Sequence, residues 1–265
     1  MRSLLLLAVL LGGLLAPAQA QTLWSQPYEP NQIALEALVP EFPNDDVSAW
    51  SGATFLTVTR SFNDNIELAA ELPVARYAAG GTPATAVGNP YVGIGLSSTT
   101  NPILLELGVR IPAVPSNRAL KAGRRADIGR TAAFRDEAFS ASALLNSRLV
   151  VGRRTTLRLR AGPSYASENQ PNAEGRTGVW RLLYSAQLWR SGEPLMTGLS
   201  VVGRPELTDS PLPERGSTHH AVLSLMLNGK RLQPGLLLGT GLDPLFNDGR
   251  FQLIGGVTLS ISYLR

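Results

Sequence analysis

The chain has 265 residues, 44% of them hydrophobic and 17% charged, and 24 Lys and Arg against 20 Asp and Glu give it a formal net charge of +4 at pH 7. Because it contains no cysteine, disulfides, a lipidated cysteine and thiolate metal sites are excluded. So small a basic excess does not indicate a nucleic-acid partner, and in an exported protein it favours lipid phosphates or anionic solutes.

Residues 1–20 have the pattern of an export signal. Arg2 supplies a positive start, residues 4–15 are apolar, and Ala18-Gln19-Ala20 forms a small-x-small cleavage site. The apolar run is shorter than the roughly 20 residues that a membrane-spanning helix needs. We therefore predict a signal peptide over 1–20, a short periplasmic lead over 21–31 and one domain over 32–265.

Beyond the lead, apolar residues recur at every second position, as in strands with two unlike faces. The clearest case is "ILLELGVRIP" at 103–112, where aliphatic residues alternate with Leu104, Glu106, Gly108 and Arg110. About twelve segments have roughly the length that a tilted membrane strand requires. They cover residues 32–39, 47–60, 65–76, 88–98, 103–112, 138–151, 155–165, 179–190, 195–204, 218–228, 232–242 and 251–264.

The connections alternate in length along the chain. Tight turns at "SFND", "TTNP", "GRRT", "SGEP" and "NGKR" are interspersed with longer loops over residues 40–46, 77–87, 113–137, 166–178, 205–217 and 243–250. Short turns on one side and long loops on the other are typical of outer-membrane barrels. The predicted fold is all-β: an antiparallel up-and-down transmembrane β-barrel of about 12 strands, with both termini periplasmic.

Charged residues on the polar faces of these strands support the barrel. Each would cost several kcal/mol in the core of a soluble sandwich unless it were paired, whereas a wet lumen solvates it. A sandwich with these faces exposed to water remains the alternative. The predicted lumen-lining residues are Glu67, Glu71, Glu106, Arg110, Arg148, Arg158, Arg160 and Arg181. They form either ion pairs or, in an open pore, a positive field that favours anions.

One segment, residues 47–60, does not alternate cleanly. Trp50, Leu56 and Val58 share one face, while Ala53 and Phe55 occupy the other. Because both faces carry apolar side chains, we expect either a bulge there or a register different from the one assigned.

The C-terminal "VTLSISYLR" resembles the assembly signal of bacterial outer-membrane proteins, with Val257, Leu259, Ile261 and Tyr263 at alternating positions and Arg265 where an aromatic residue is common. Further, "NIELAAELPVARY", "GNPYVGIGL" and "ILLELGVRIP" resemble a family of outer-membrane barrels described as transporters, including those named after the meta-pathway of phenol degradation. The resemblance covers residues 65–112. It implies a passive transporter, of hydrophobic solutes in some members, with no catalytic residue.

The longest loop, "AVPSNRALKAGRRADIGRTAAFRDE", is strongly basic, with Arg118, Lys121, Arg124, Arg125 and Arg130. Ser116 is placed to cap a short helix in which Leu120 and Ala126 face inward. Three interpretations stay open: a plug inside the lumen, a segment lying over the rim against lipid phosphates, and a solvated loop.

His219 and His220 are the chain's two histidines. A lipid-modifying enzyme would need a serine activated by a histidine, but no Gly-x-Ser-x-Gly elbow is present. Neighbouring residues of a strand point to opposite faces, so at most one histidine serves a given site and the pair is a poor metal chelate. We predict rim histidines, no enzymatic activity and no cofactor.

Aromatic residues near the predicted strand ends are typical of interfacial belts. They are Trp50, Phe62, Tyr77, Tyr165, Trp180, Trp189 and Tyr263. Packing in a sandwich core is the competing interpretation.

The predicted function is a passive pore or transporter for small solutes in the outer membrane of a Gram-negative bacterium. The alternatives are a closed structural barrel and, less favoured, a lipid-modifying enzyme. Expected partners are outer-membrane lipid, lipopolysaccharide, the barrel assembly machinery and small solutes, with no nucleic acid.

Overall fold

The computed structural model describes residues 31–42, 47, 50–79, 82–98, 101–114, 118–127, 129–169, 176–207, 218–243 and 252–263. The proposed signal peptide and all of the lead except Asn31 lie outside the described residues, as do Ser116 and Arg265. The domain boundaries therefore stay predictions.

Thirteen strands and one α-helix make up the described chain, and each of the twelve predicted segments contains a strand. The strands are β1 (Gln32–Pro40), β2 (Gly52–Asn63), β3 (Ile66–Ala79), β4 (Thr82–Val87), β5 (Tyr91–Ser98), β6 (Asn101–Arg110), β7 (Phe139–Val151), β8 (Thr155–Asn169), β9 (Arg176–Ser191), β10 (Leu195–Arg204), β11 (Thr218–Leu227), β12 (Leu232–Gly241) and β13 (Leu253–Ser262). Between β6 and β7 lie the helix α1 (Ala119–Ala126) and a 3-10 turn (Thr131–Phe134). Among the described residues, no helix combines the length and the apolar character that crossing a membrane requires.

The sheet closes on itself through its first strand. β1 pairs antiparallel with both β2 and β13, so that Leu35 lies opposite Leu56 on one side and Leu259 on the other. Twelve strands form the closed wall, and β4 is the additional one. The predicted antiparallel barrel is thus confirmed. Its long connections lie at one end, the loop end, and its short turns lie with Gln32 and Ser262 at the other, the turn end.

The wall has the two faces that the alternation predicts. Aliphatic residues such as Leu68, Val92 and Val257 are exposed on the outside, while their neighbours, such as Glu67 and Thr258, are buried inside. A continuous apolar exterior is suited to acyl chains, which cannot hydrogen-bond to polar groups.

The bulge expected within residues 47–60 is absent from the described part of β2. β2 keeps a continuous register with β3 from Gly52 to Ser61, and the shift comes only between Ser61 and Asn63. Ala53 and Phe55 face inward and are buried. An apolar inner face is possible here because an apolar segment fills the lumen beside β2.

The added strand β4 continues the line of β5 against β3. Val87 of β4 lies opposite Val74, and Tyr91 of β5 lies opposite Glu71. Residues 88–90 interrupt this line, which leaves Asn89 free to bond outside the sheet. The loop predicted over 77–87 is therefore wrong for most of its length: β3 extends to Ala79 and β4 follows it.

Candidate functional site: the plugged lumen

Residues 118–127 and 129–138, which we call the plug, lie inside the barrel. α1 packs against β1, β2 and β3, and Leu120 and Ala126, which were expected to face inward, are buried. The helix begins after Arg118, which makes no side-chain cap. Of the three interpretations of the basic loop, the structure therefore selects the plug.

An apolar contact joins the plug to the wall. The rings of Phe134 and Phe55 meet edge to face with their centroids 5.5 Å apart. A side chain at Gly123 would bring its Cβ within 2.4 Å of the Phe134 ring, so only glycine lets α1 lie this close. The full cluster comprises Leu38, Ala53, Phe55, Ala75, Val114, Ala119, Leu120, Ala126, Ala133, Phe134, Leu237 and Ile254.

Arg130 forms the ionic centre of the plug. Its guanidinium donates to Asp127 within the plug and to Glu36 of β1, and its Nη1 lies 3.0 Å from Glu71 Oε2 of β3. Arg110 reaches the other oxygen of Glu71 at 2.5 Å. All five side chains are less than a tenth exposed, so each ion pair lies in a low dielectric.

The charges in this cluster set each other's protonation. Burial alone would raise the pKa of Asp127, but the positive charge and hydrogen bonds of Arg130 outweigh it and lower that pKa. Burial alone would lower the pKa of Arg130, but the carboxylates of Asp127, Glu36 and Glu71 raise it. Both groups are therefore ionised, as an ion pair requires.

Asn89 holds the plug from the break between β4 and β5. Its side-chain Nδ2 donates to the carbonyls of Ala132 at 3.0 Å and Arg135 at 2.7 Å, and its Oδ1 accepts from Ala113 N at 2.9 Å. Its backbone N donates to Ala133 O at 2.7 Å. Asn89 is fully buried, so these bonds satisfy its own side-chain amide, which water does not reach.

Between the plug and the wall formed by β5 to β10 lies a cavity of about 70 Å³. We call it the basic cavity, and its charged lining consists of Arg110, Arg130, Arg160, Arg181, Arg204 and Glu106. Arg160 Nη2 lies 2.5 Å from Glu106 Oε1, and Arg181 Nη2 lies 2.9 Å from Glu206 Oε1. The hydroxyls of Ser140, Ser142 and Ser164 belong to the same lining.

The two histidines lie on opposite faces of β11. His219 is part-exposed, and its Nδ1 lies 2.8 Å from Asp243 Oδ2. His220 is buried and lines a second inner cavity of about 30 Å³ beside Asp127. The rim interpretation holds for His219 and is wrong for His220. Within the described ranges, no group of His, Asp and Glu side chains is arranged to hold a metal ion.

Seven of the eight predicted lumen-lining residues are buried inside the barrel. Buried on the inner face are Glu67, Glu71, Glu106, Arg110, Arg158, Arg160 and Arg181. Arg148 is half-buried near the turn end, opposite Arg158. Of the basic loop residues, Arg130 is buried, Arg124 and Arg125 are half-buried, and Arg118 and Lys121 are exposed.

Sequence reasoning missed Glu36, Asn89, Asp127, Arg204 and Glu206. Glu36 could have been predicted from the sequence, because it occupies an inward position of "QIALEALVP" between outward Leu35 and Ala37. No local pattern marks Asn89 or Asp127, whose partners come from distant segments.

One expected belt residue lies inside the barrel. Trp189 is 5% exposed and packs with Met196 and Met226 near the turn end. Trp180 is exposed and its ring lies 5.1 Å from that of Tyr165, which agrees with a belt at the loop end. The belt assignment of Trp189 is therefore wrong.

The sequence matches no protein-family model and no curated protein. Among solved structures, the KdgM porin aligns with a TM-score of 0.53 at 12% identity over 88% of this chain and 99% of the porin. The COG4313 outer membrane channel from Pseudomonas putida F1 aligns with a TM-score of 0.54 at 16% identity over 91% of this chain and 99% of the channel. LpxR from Salmonella typhimurium aligns with a TM-score of 0.52 at 12% identity over 88% of this chain and 100% of LpxR.

The fold is that of an outer-membrane β-barrel. At these identities the likeness concerns the fold alone, so membership of the transporter family resembled by residues 65–112 stays a prediction.

Proposed function

We propose that this barrel is a gated passive channel for small anionic solutes, and that the plug closes it when seated in the lumen. The observation that carries the proposal is the basic cavity, where five arginines and one glutamate line the part of the lumen that the plug leaves unfilled. Two of its structural neighbours are described as a porin and a channel, which agrees with this role.

The charges of the lumen are unevenly distributed. Glu36 and Glu71 lie on the plug side, where Arg130 and Arg110 bind them. The opposite wall presents Arg160, Arg181 and Arg204 to the basic cavity. A solute passing along that wall meets a positive field in a low-dielectric surrounding, which attracts anions and repels cations.

Conduction requires the plug to shift, because it occupies the lumen beside β1 to β3. The contacts to break are the Phe134–Phe55 packing, the bonds of Asn89 and the ion pairs of Arg130. The ion pairs are the part of this seal that a single substitution can weaken most, since Arg130 pairs with Glu36, Glu71 and Asp127 at once and all three pairs are lost with it.

Single-channel recording in planar bilayers under a salt gradient tests the proposal. We expect openings whose reversal potential shows anion preference, and a higher open probability in Arg130→Met. Lys121→Met is the matched control, because this exposed cation of the same plug should leave gating unchanged. A cation-selective reversal potential contradicts the proposal.

A closed structural barrel is the second candidate, favoured by the packing near the turn end. There Gln187 and Ser224 are fully buried and Trp189 packs on two methionines. Liposome swelling separates the two functions, because only an open lumen passes solute. If neither the natural chain nor Arg130→Met passes any solute, the closed barrel is the better account.

We also propose that the chain has no enzymatic activity, although LpxR shares its fold. A lipid-modifying activity that disappears in His220→Ala would overturn this. Contact with lipopolysaccharide and with the assembly machinery, and cleavage of the signal peptide after Ala20, stay predictions.

A further inference from the structure

We propose that the basic cavity is a binding subsite for one oxyanion group, a carboxylate or a phosphate, of a small solute. The inference rests on the proposed channel function, because it names the chemical group that would be held on the path through the lumen. It concerns equilibrium binding, which can be measured whether or not the barrel conducts.

The positive charges of the basic cavity come from separate parts of the chain. Arg110 belongs to β6, Arg160 to β8, Arg181 to β9 and Arg204 to β10, while Arg130 comes from the plug. Because like charges repel strongly in a low dielectric, five arginines around about 70 Å³ are costly unless negative charge lies near.

Carboxylates supply part of that negative charge, but mostly from outside the cavity. Glu71 binds Arg110 and Arg130 from the plug side, and Glu206 binds Arg181. Of the carboxylates described in these ion pairs, Glu106 is the one that lines the cavity itself. The lining is therefore strongly positive, and an anion that entered would be stabilised by it.

The donors of the lining match an oxyanion in kind. The guanidinium group is planar and presents N–H donors in a geometry that suits both carboxylate and phosphate oxygens. Ser140, Ser142 and Ser164 add hydroxyl groups on the β7 and β8 side of the cavity. A cation would meet five guanidinium groups and one carboxylate, that of Glu106, in this lining.

The size of the cavity limits the ligand. A volume of about 70 Å³ is roughly that of two or three water molecules in the liquid. One carboxylate or phosphate group fits, whereas a whole sugar does not. The rest of the solute would have to lie along the path on either side.

Calorimetric titration of the refolded full chain in detergent micelles tests the subsite. The probes are inorganic phosphate and acetate at constant ionic strength, with glucose as the uncharged control. We expect saturable one-site binding of phosphate, of acetate or of both, and none of glucose. Tighter binding of phosphate identifies a tetrahedral oxyanion, and tighter binding of acetate identifies a carboxylate.

Three substitutions make the test more specific, because the proposal predicts a different change in affinity for each. Arg204→Gln should weaken binding about tenfold, the effect of losing one charge-assisted hydrogen bond. Glu106→Gln should tighten binding by about the same factor, since it removes the negative charge of the lining while its amide oxygen still accepts from Arg160. Arg158→Gln is the matched control, because this buried arginine shares the inner face of β8 but bonds to Asn146, outside the cavity.

Absence of saturable binding in both the natural chain and Glu106→Gln overturns the proposal, as does an equal loss of affinity in all three variants. Heat-modifiable migration in a gel verifies that each variant is folded. If Arg204→Gln does not fold, the proposal is judged by whether Glu106→Gln binds the probe more tightly than the natural chain does. Anion-selective conductance without probe binding refutes the subsite alone. Probe binding without conductance supports the subsite and refutes the channel.

Discussion

The two sides of the lumen contain the same kinds of residue and use them differently. On the plug side, Glu36, Glu71 and Asp127 surround Arg130, and Phe134 packs on Phe55, so that ion pairs and apolar contacts together hold the plug to the wall. On the opposite side, arginines from four strands surround a cavity. The wall itself is continuous and antiparallel on both sides.

This difference separates residues that hold the structure from residues available for a solute. Where opposite charges meet and their remaining bonds are satisfied, removal of one partner is costly and nothing is left for a ligand. Where charges of mostly one sign line a cavity, an anion that entered it would be stabilised. The largest effects of substitution on stability are therefore expected on the plug side.

Replacement of Arg130 should have the largest effect. Arg130→Met removes the cation that three buried carboxylates share, and we expect a loss of about 4 kcal/mol in the free energy of unfolding. Urea unfolding in micelles, followed by tryptophan fluorescence, measures it. Lys121→Met should change the same free energy by less than about 0.5 kcal/mol. Equal stabilities of the two variants would show that Arg130 is not buried among carboxylates.

Replacement of Phe134 tests the apolar half of the seal. Phe134→Ala leaves a cavity beside Phe55 and α1, and the expected cost is about 3 kcal/mol. Phe62→Ala is the control, because that ring is 59% exposed on the outside and leaves no internal cavity. Urea unfolding again gives the result, and a loss no greater than that of the control is incompatible with a packed plug.

Replacement of Asn89 should have a smaller effect, confined to the plug. Asn89→Ala leaves polar groups of Ala113, Ala132 and Arg135 without their partner, at an expected cost of about 2 kcal/mol. Amide hydrogen exchange should show faster exchange in the plug, with the wall unchanged. Asn228→Ala, which loses a bond to Gly192 in an exposed turn, is the control.

Acid should weaken the plug through Asp127. Because its pKa in the folded chain lies below the ordinary value of 3.8, its ionised form stabilises the fold above that pH, and the contribution is lost as the pH falls below it. Arg130 stays charged throughout. The stability difference between the natural chain and Asp127→Asn should therefore be constant at neutral pH and shrink below 3.8. A difference independent of pH through this range argues against the ion pair.

The wall could be predicted because lipid favours an apolar residue at every second position of a strand, and this alternation is visible within the predicted segments other than 47–60. The same alternation also gives the orientation of Trp189. Its neighbour Leu188 faces outward, so Trp189 must face inward. The short β4, "TPATAV", has no alternating row of aliphatic residues, because it lies beyond the end of β6. The last pair between β5 and β6 is Tyr91 with Arg110, and β4 continues the line of β5 past that pair.

The plug could not be settled from its own residues. "ALKAGRRA" has the charge of a solvated segment, and its burial depends on Glu36, Glu71 and Phe55, which the barrel brings together from distant strands. Phe55 is the one local indication, since an aromatic residue on an inner face needs an apolar partner in the lumen. The sequence alone favours a bulge at this position, because that partner, Phe134, belongs to a segment far along the chain.

Cysteine accessibility tests the plug most directly, and the chain has no native cysteine to interfere. In two single-cysteine variants of the folded protein, a water-soluble maleimide should label Lys121→Cys rapidly and Ala126→Cys only after unfolding, because Lys121 is exposed and Ala126 is fully buried. Equally rapid labelling of both would mean that the segment lies in solvent outside the barrel, which would contradict a lumen closed by the plug.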